Sequence, residues 1–71
     1  MRVTFDKEAD AAYIYLAESI GTGGVKKTYP CDSREVGGMI NLDFDAEGRL
    51  VGVEVLDASR LLPDALLQVA E

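Results

Sequence analysis

Between Met39 and Leu56 the chain alternates apolar and polar residues twice, and the two runs flank an acidic segment that ends at Gly48. A period-two rhythm on either side of a turn is that of a β-hairpin with one buried face. Ile40, Leu42 and Phe44 fall on one side of the first run, and Val51, Val53 and Val55 on one side of the second. Gly52 falls on the opposite side, where its missing side chain admits a close approach.

The same rhythm recurs upstream. Arg2–Asp6 alternates with Val3 and Phe5 on one side. Ala11–Leu16 alternates with Ala12, Ile14 and Leu16 on one side and Tyr13 and Tyr15 on the other. These predict a first hairpin across the polar connector 7–10. Residues 7–18 also hold good helix formers, but the Tyr-Ile-Tyr centre favours a strand. Gly21–Gly24 predicts a turn, and Val25–Tyr29 a more polar strand ended by Pro30. Its lysines suit a sheet edge. Cys31–Gly38 reads as a polar loop. After Leu56 the period changes. Asp57–Ser59 is turn and cap chemistry, and Pro63 suits a first helical position. Leu61, Leu62, Ala65, Leu66 and Val69 then form a stripe at helical spacing, with Leu67 at its border and Asp64, Gln68 and Glu71 facing water. The expected fold is α+β: an antiparallel β-meander of about five strands with one C-terminal helix packed on one face.

A chain of 71 residues makes one domain, 1–71, and one this short buries only about 60 % of its unfolded surface. Cys31 is the only cysteine and there is no histidine, so neither a disulfide nor a familiar metal cage can add stability. Self-association is the simplest remaining source of burial, and a homodimer is expected. The net charge of −6 argues against nucleic-acid and anionic membrane surfaces, which need clustered Lys and Arg, and favours a basic partner protein. Lys26, Lys27 and Arg34 are too few for a phosphate site. The start of the sequence carries no basic-then-apolar leader, and no run approaches the ~20 apolar residues of a membrane span. A lone thiol agrees with a reducing compartment, so cytoplasmic residence is expected.

Few residues carry chemistry. Asp43-x-Asp45-x-Glu47-Gly48, with Glu54 beyond, has the spacing of a calcium loop. Its flanks, however, have period two rather than helical period. An extended run from Arg49 to Glu54 sets Glu54 about 17 Å from the turn. An acidic hairpin turn accounts for the same residues. Asp6 and Asp10 are expected to hold the first turn by accepting from backbone amides. Cys31 has no base to activate it. No catalytic, cofactor-binding or metal-binding residue is assigned, and no cofactor is implied.

Phe5-Asp6, Asp10-Ala11-x-Tyr13-Ile14-x-Leu16 and the run Asn41 to Ser59 together resemble the YuzE-like small bacterial domains of unknown function. The similarity extends from Arg2 to about Pro63. It implies a compact α+β unit with a β-meander and a C-terminal helix, and it carries over no catalytic residues. Some such domains lie beside small toxin-like genes, which implies a partner-binding or antitoxin-like role.

The sheet face opposite the helix is where function is expected, with Tyr13, Tyr15, Asn41, Asp43 and Glu54 as the interaction face. The first functional reading is a non-enzymatic protein–protein interaction module, homodimeric, binding a basic partner. The alternative is a small-ligand or metal-dependent enzyme using the same five residues at a dimer seam.

Overall fold

The computed structural model describes all 71 residues. Its elements are β1 (Arg2–Asp6), β2 (Ala11–Tyr15), β3 (Lys27–Pro30), α1 (Ser33–Val36), β4 (Ile40–Phe44), β5 (Leu50–Leu56), α2 (Ala58–Leu61) and α3 (Asp64–Gln68). The five strands form one sheet in the order β1-β2-β5-β4-β3, and every neighbouring pair is antiparallel. No helix is long and apolar enough to cross a membrane.

This order corrects the expected meander. Two hairpin units, β1–β2 and β3–β4–β5, join through β2 and β5. The last strand therefore occupies the centre. It is the longest strand and carries the chain's densest valine run, so the position flanked on both edges buries it best. Segment 16–26 takes the chain from β2 to the far edge. There β3 runs over Lys27–Pro30, later than the expected Val25–Tyr29. Pro30 ends an edge strand, where its missing amide leaves no ladder bond unmade.

The β4–β5 hairpin forms as its alternation predicts. Asp45 Oδ1 accepts from the amides of Glu47 and Arg49 at 3.0 and 2.9 Å, and Gly48 takes φ 81°, a left-handed conformation natural to glycine. Ile40 pairs with Val55 and Leu42 with Val53 on the inner face; a register shift at Asp43/Phe44 then pairs Phe44 with Leu50. The expected Cys31–Gly38 loop contains one helical turn, α1. The Asp32 carboxylate accepts from the Arg34 amide at 2.9 Å, and Gly37 closes the turn at φ 76°.

The single C-terminal helix is also corrected. Two short helices stand there, separated at Leu62, whose φ −110° and ψ 150° are extended. The ring of Pro63 forces this, since the residue before a proline is driven out of the α region. The break resets the helical phase. Leu61, Leu62 and Leu67 pack against the core, whereas Ala65 is exposed and Val69 is 78 % exposed. The stripe read through Pro63 therefore has the wrong phase beyond it.

Ala58, fully buried, seats the start of α2 against Ala12 and Val55. The methyl of Ala58 and the methyl of Ala12 let helix and sheet approach closely. Only six of the 71 residues are buried, the apolar ones being Val3, Ala12, Val51, Val55 and Ala58. The helices cover the Ala12/Val55 end of the inner face; toward the other end Val51 is buried, while Ile14, Leu42, Phe44 and Val53 are only partly so. The outer edge of β1 is occupied by Glu71, which donates its amide to Val3 at 2.8 Å and accepts from Phe5 at 2.9 Å.

Candidate functional site

The five residues of the expected interaction face do lie together on the sheet face away from the helices. Strand pairing sets two rows across it. Thr4, Tyr13, Glu54 and Asn41 form one row; Arg2, Tyr15, Gly52, Asp43 and Thr28 form the next. Alternation alone places these side chains on one face. Register decides which of them meet.

Tyr13 does not stay in its own row. Its ring leans diagonally over Gly52, so that a Cβ at position 52 would fall inside the phenol. The close approach expected at Gly52 is thus made by a residue of the same chain. From there the Tyr13 hydroxyl donates to Asp43 Oδ2 at 2.6 Å. Thr28 Oγ1 donates to the other carboxylate oxygen at 2.7 Å, and Asn41 Nδ2 donates to Glu54 Oε1 at 2.9 Å. Tyr13 and Tyr15 meet edge to face with centroids 4.7 Å apart. The Arg2 guanidinium lies 4.1 Å over the Tyr15 ring, a cation–π distance.

Burial and then the Asp43 carboxylate push the Tyr13 phenol well above its ordinary pKa. Ionisation would place a second negative charge beside Asp43 and forfeit the bond between them. The proton is therefore held, and Tyr13 offers neither a base nor a nucleophile near neutrality. Its proton affinity is higher folded than unfolded, so its contribution to stability is complete below pH 10 and falls as pH rises above that. In an absorbance titration one of the three tyrosines should ionise after the others, together with unfolding. Tyr13→Phe should remove that component and lower neutral stability by about 1 kcal/mol, as for one net hydrogen bond.

No three Cys, Asp or Glu side chains converge to hold a metal ion. The calcium-like spacing is dispersed: Asp45 holds turn amides, while Asp43 and Glu54 engage Tyr13, Thr28 and Asn41. The face is nearly flat. Its one depression, about 220 Å³, is lined by Tyr13, Tyr15 and Ile20. The largest hollow, about 490 Å³, lies elsewhere, between Phe5 and α3.

Sequence reasoning missed three partners. Thr28 and Arg2 share the face by alternation, but only the register brings them to Asp43 and Tyr15. Asp10 is the larger surprise. Asp6 holds the first turn as expected, accepting from the Glu8 and Ala9 amides at 3.0 and 3.2 Å. Asp10 instead reaches α2, accepting from the Ser59 amide at 3.0 Å and the Ser59 hydroxyl at 2.8 Å. Asp57 occupies the cap position without a side-chain cap bond and pairs with Arg60 at 3.2 Å. No local signal marks a cap supplied from 49 residues away.

Fold and site define a small α+β domain: a five-stranded antiparallel sheet with a hydrogen-bonded tyrosine–carboxylate face. The chain belongs to the family described as "Protein of unknown function (DUF2283)", which matches residues 2–59. The match runs from the first strand to Ser59 and so contains both halves of the Asp10–Ser59 clasp. No curated protein matches the chain, and no solved structure does.

Proposed function

We propose that this chain is a non-enzymatic protein–protein interaction module, homodimeric and antitoxin-like, that receives a basic partner protein on the Tyr13/Tyr15/Asn41/Asp43/Glu54 face. One observation carries the reading. Asp43 and Glu54 stand on neighbouring inner strands of the five-stranded sheet and are bonded only by neutral donors. The chain's three ion pairs, Arg2–Glu71, Arg34–Asp32 and Arg60–Asp57, touch neither. Each carboxylate keeps lone pairs for an incoming cation, with tyrosine rings alongside. Arg2 over Tyr15 is an internal example of the contact a guanidinium makes there. The YuzE-like resemblance and the net charge of −6 agree with it. The enzyme alternative has only the shallow depression beside Tyr13, Tyr15 and Ile20 to build on in a single chain, and the Tyr13 phenol keeps its proton.

The test is titration of the ¹⁵N-labelled protein with an arginine-rich peptide and with a glutamate-rich control. Shifts should centre on Tyr13, Tyr15, Asn41 and Asp43 for the basic peptide alone. The double variant Asp43→Asn/Glu54→Gln should weaken binding at least tenfold, that is by about 1.4 kcal/mol. Shifts centred elsewhere, or affinity untouched by the double variant, would defeat the proposal.

A further inference from the structure

On the opposite face, Ile14, Val53, Leu42 and Tyr29 pair in one row across β2, β5, β4 and β3. Phe44 and Lys27 pair in the adjacent row. The helix residues Ala58, Leu61, Leu62 and Leu67 belong to the core around Ala12 and Val55, which Phe5, Ile40 and Val53 also join; Ile14, Leu42, Phe44 and Tyr29 lie outside that core. Val53 is central on the central strand, yet it is only partly buried, as are Ile14, Leu42 and Phe44. Tyr29 is 54 % exposed. No helix residue of the core covers Ile14, Leu42 or Phe44, so this half of the apolar face has only a partial second layer.

We infer that this bare half of the apolar face, not the tyrosine face, is the seam on which a second copy of the chain docks. The inference rests on the reading of the chain as a self-associating module and places its surface. Two observations choose a second copy as the occupant. The first is area. The chain exposes 4908 Å², whereas a folded monomer of 7.7 kDa is expected to expose about 4,300 Å². The excess of about 600 Å², summed over the whole chain, is of the order of the ~800 Å² that each partner buries in a standard interface. The second is charge. None of the 13 Asp and Glu residues holds a strand position on this face; Asp6, Asp43 and Glu54 all project from the other. Two copies, each of charge −6, can therefore meet here with no strand carboxylate in the seam; the charges at its margin, Lys27 and Asp45 beside Phe44, are of opposite sign. A basic partner gains nothing from this face that the acidic one does not offer better. Packing the two bare halves sheet on sheet, about 10 Å apart, buries Ile14, Leu42, Val53, Phe44 and Tyr29 in an isologous contact.

Sedimentation equilibrium of the wild type, Tyr29→Asp and Tyr15→Asp tests the placement. The wild type should run at twice the 7.7 kDa chain mass. Tyr29→Asp should raise the dimer Kd at least tenfold while keeping a cooperative melt, because Tyr29 sits on an exposed edge strand. Tyr15→Asp should leave the mass unchanged. Isotope-filtered NMR on mixed-label wild type gives a second measurement that needs no variant: contacts between chains from the Leu42 and Val53 methyls to the Tyr29 ring are expected. A dimer that dissociates with Tyr15→Asp but not with Tyr29→Asp, or that lacks those contacts, overturns the placement and leaves self-association standing. A wild type of single-chain mass at hundreds of micromolar overturns both.

Discussion

Gly52→Ala should lower stability by about 2–4 kcal/mol, measured by urea unfolding. Overpacking accounts for about 1–3 kcal/mol and a lost hydrogen bond for about 1 kcal/mol more. In an ordinary strand interior the same change gains roughly 0.5–1 kcal/mol by stiffening the unfolded chain. The sign reverses here because the new methyl would occupy the Tyr13 ring. The neighbouring backbone cannot yield, since β5 is held on both edges by β2 and β4. Tyr13 must swing away, and Asp43 then loses its 2.6 Å donor. Removing the ring removes the conflict, so Gly52→Ala should be far milder in a Tyr13→Ala background, with a coupling of about 1–2 kcal/mol. A neutral or stabilising Gly52→Ala would show that the ring is not anchored over position 52.

Asp10→Ala should be nearly as damaging, at about 2–3 kcal/mol, which for a domain of this size lowers Tm by roughly 10–20 °C. Asp10 stands at φ 51°, a left-handed conformation that Asp and Asn tolerate and Ala does not. Its carboxylate caps α2 through Ser59, and losing such a cap costs about 1 kcal/mol. Its carbonyl accepts from the Ala58 amide at 2.9 Å, so the backbone must keep this shape for α2 to dock. Two companion variants separate the effects. Asp10→Asn retains the conformation and one acceptor and should lose the least. Asp10→Gly retains the conformation alone and should lose only the cap. Hydrogen exchange at the Ala58 and Ser59 amides reads the clasp directly. Unchanged protection in Asp10→Ala would mean that α2 docks without it.

Strand existence and facing are local properties, and alternation displays them directly. Val3, Ala12, Ile40 and Val55 therefore reach the inner face as read, and Tyr13, Tyr15, Asn41, Asp43 and Glu54 reach the outer one. Strand order is not local. The β1–β2, β3–β4 and β4–β5 pairings are those of a meander, but nothing between Ile20 and Gly38 announces that β3 leaves β2 and that β5 takes its place there. The C-terminal error is of another kind. A helical stripe that runs through Pro63 ignores the constraint a proline puts on the residue before it; Leu62 is extended, and the phase beyond it is lost. Side-chain partners are hardest of all. Tyr13–Asp43 joins residues 30 apart and Asp10–Ser59 residues 49 apart, and both depend on a register that only the assembled sheet defines.

The two margins of the sheet bear on what kind of assembly the chain can build. Along β1, Val3 and Phe5 already exchange backbone hydrogen bonds with Glu71. Along β3, Pro30 has no amide to give, and Lys27 places charge on the rim. A sheet blunted on both flanks resists lateral growth into fibrils. Association face on face, through one self-complementary patch, closes at two subunits rather than continuing into a polymer.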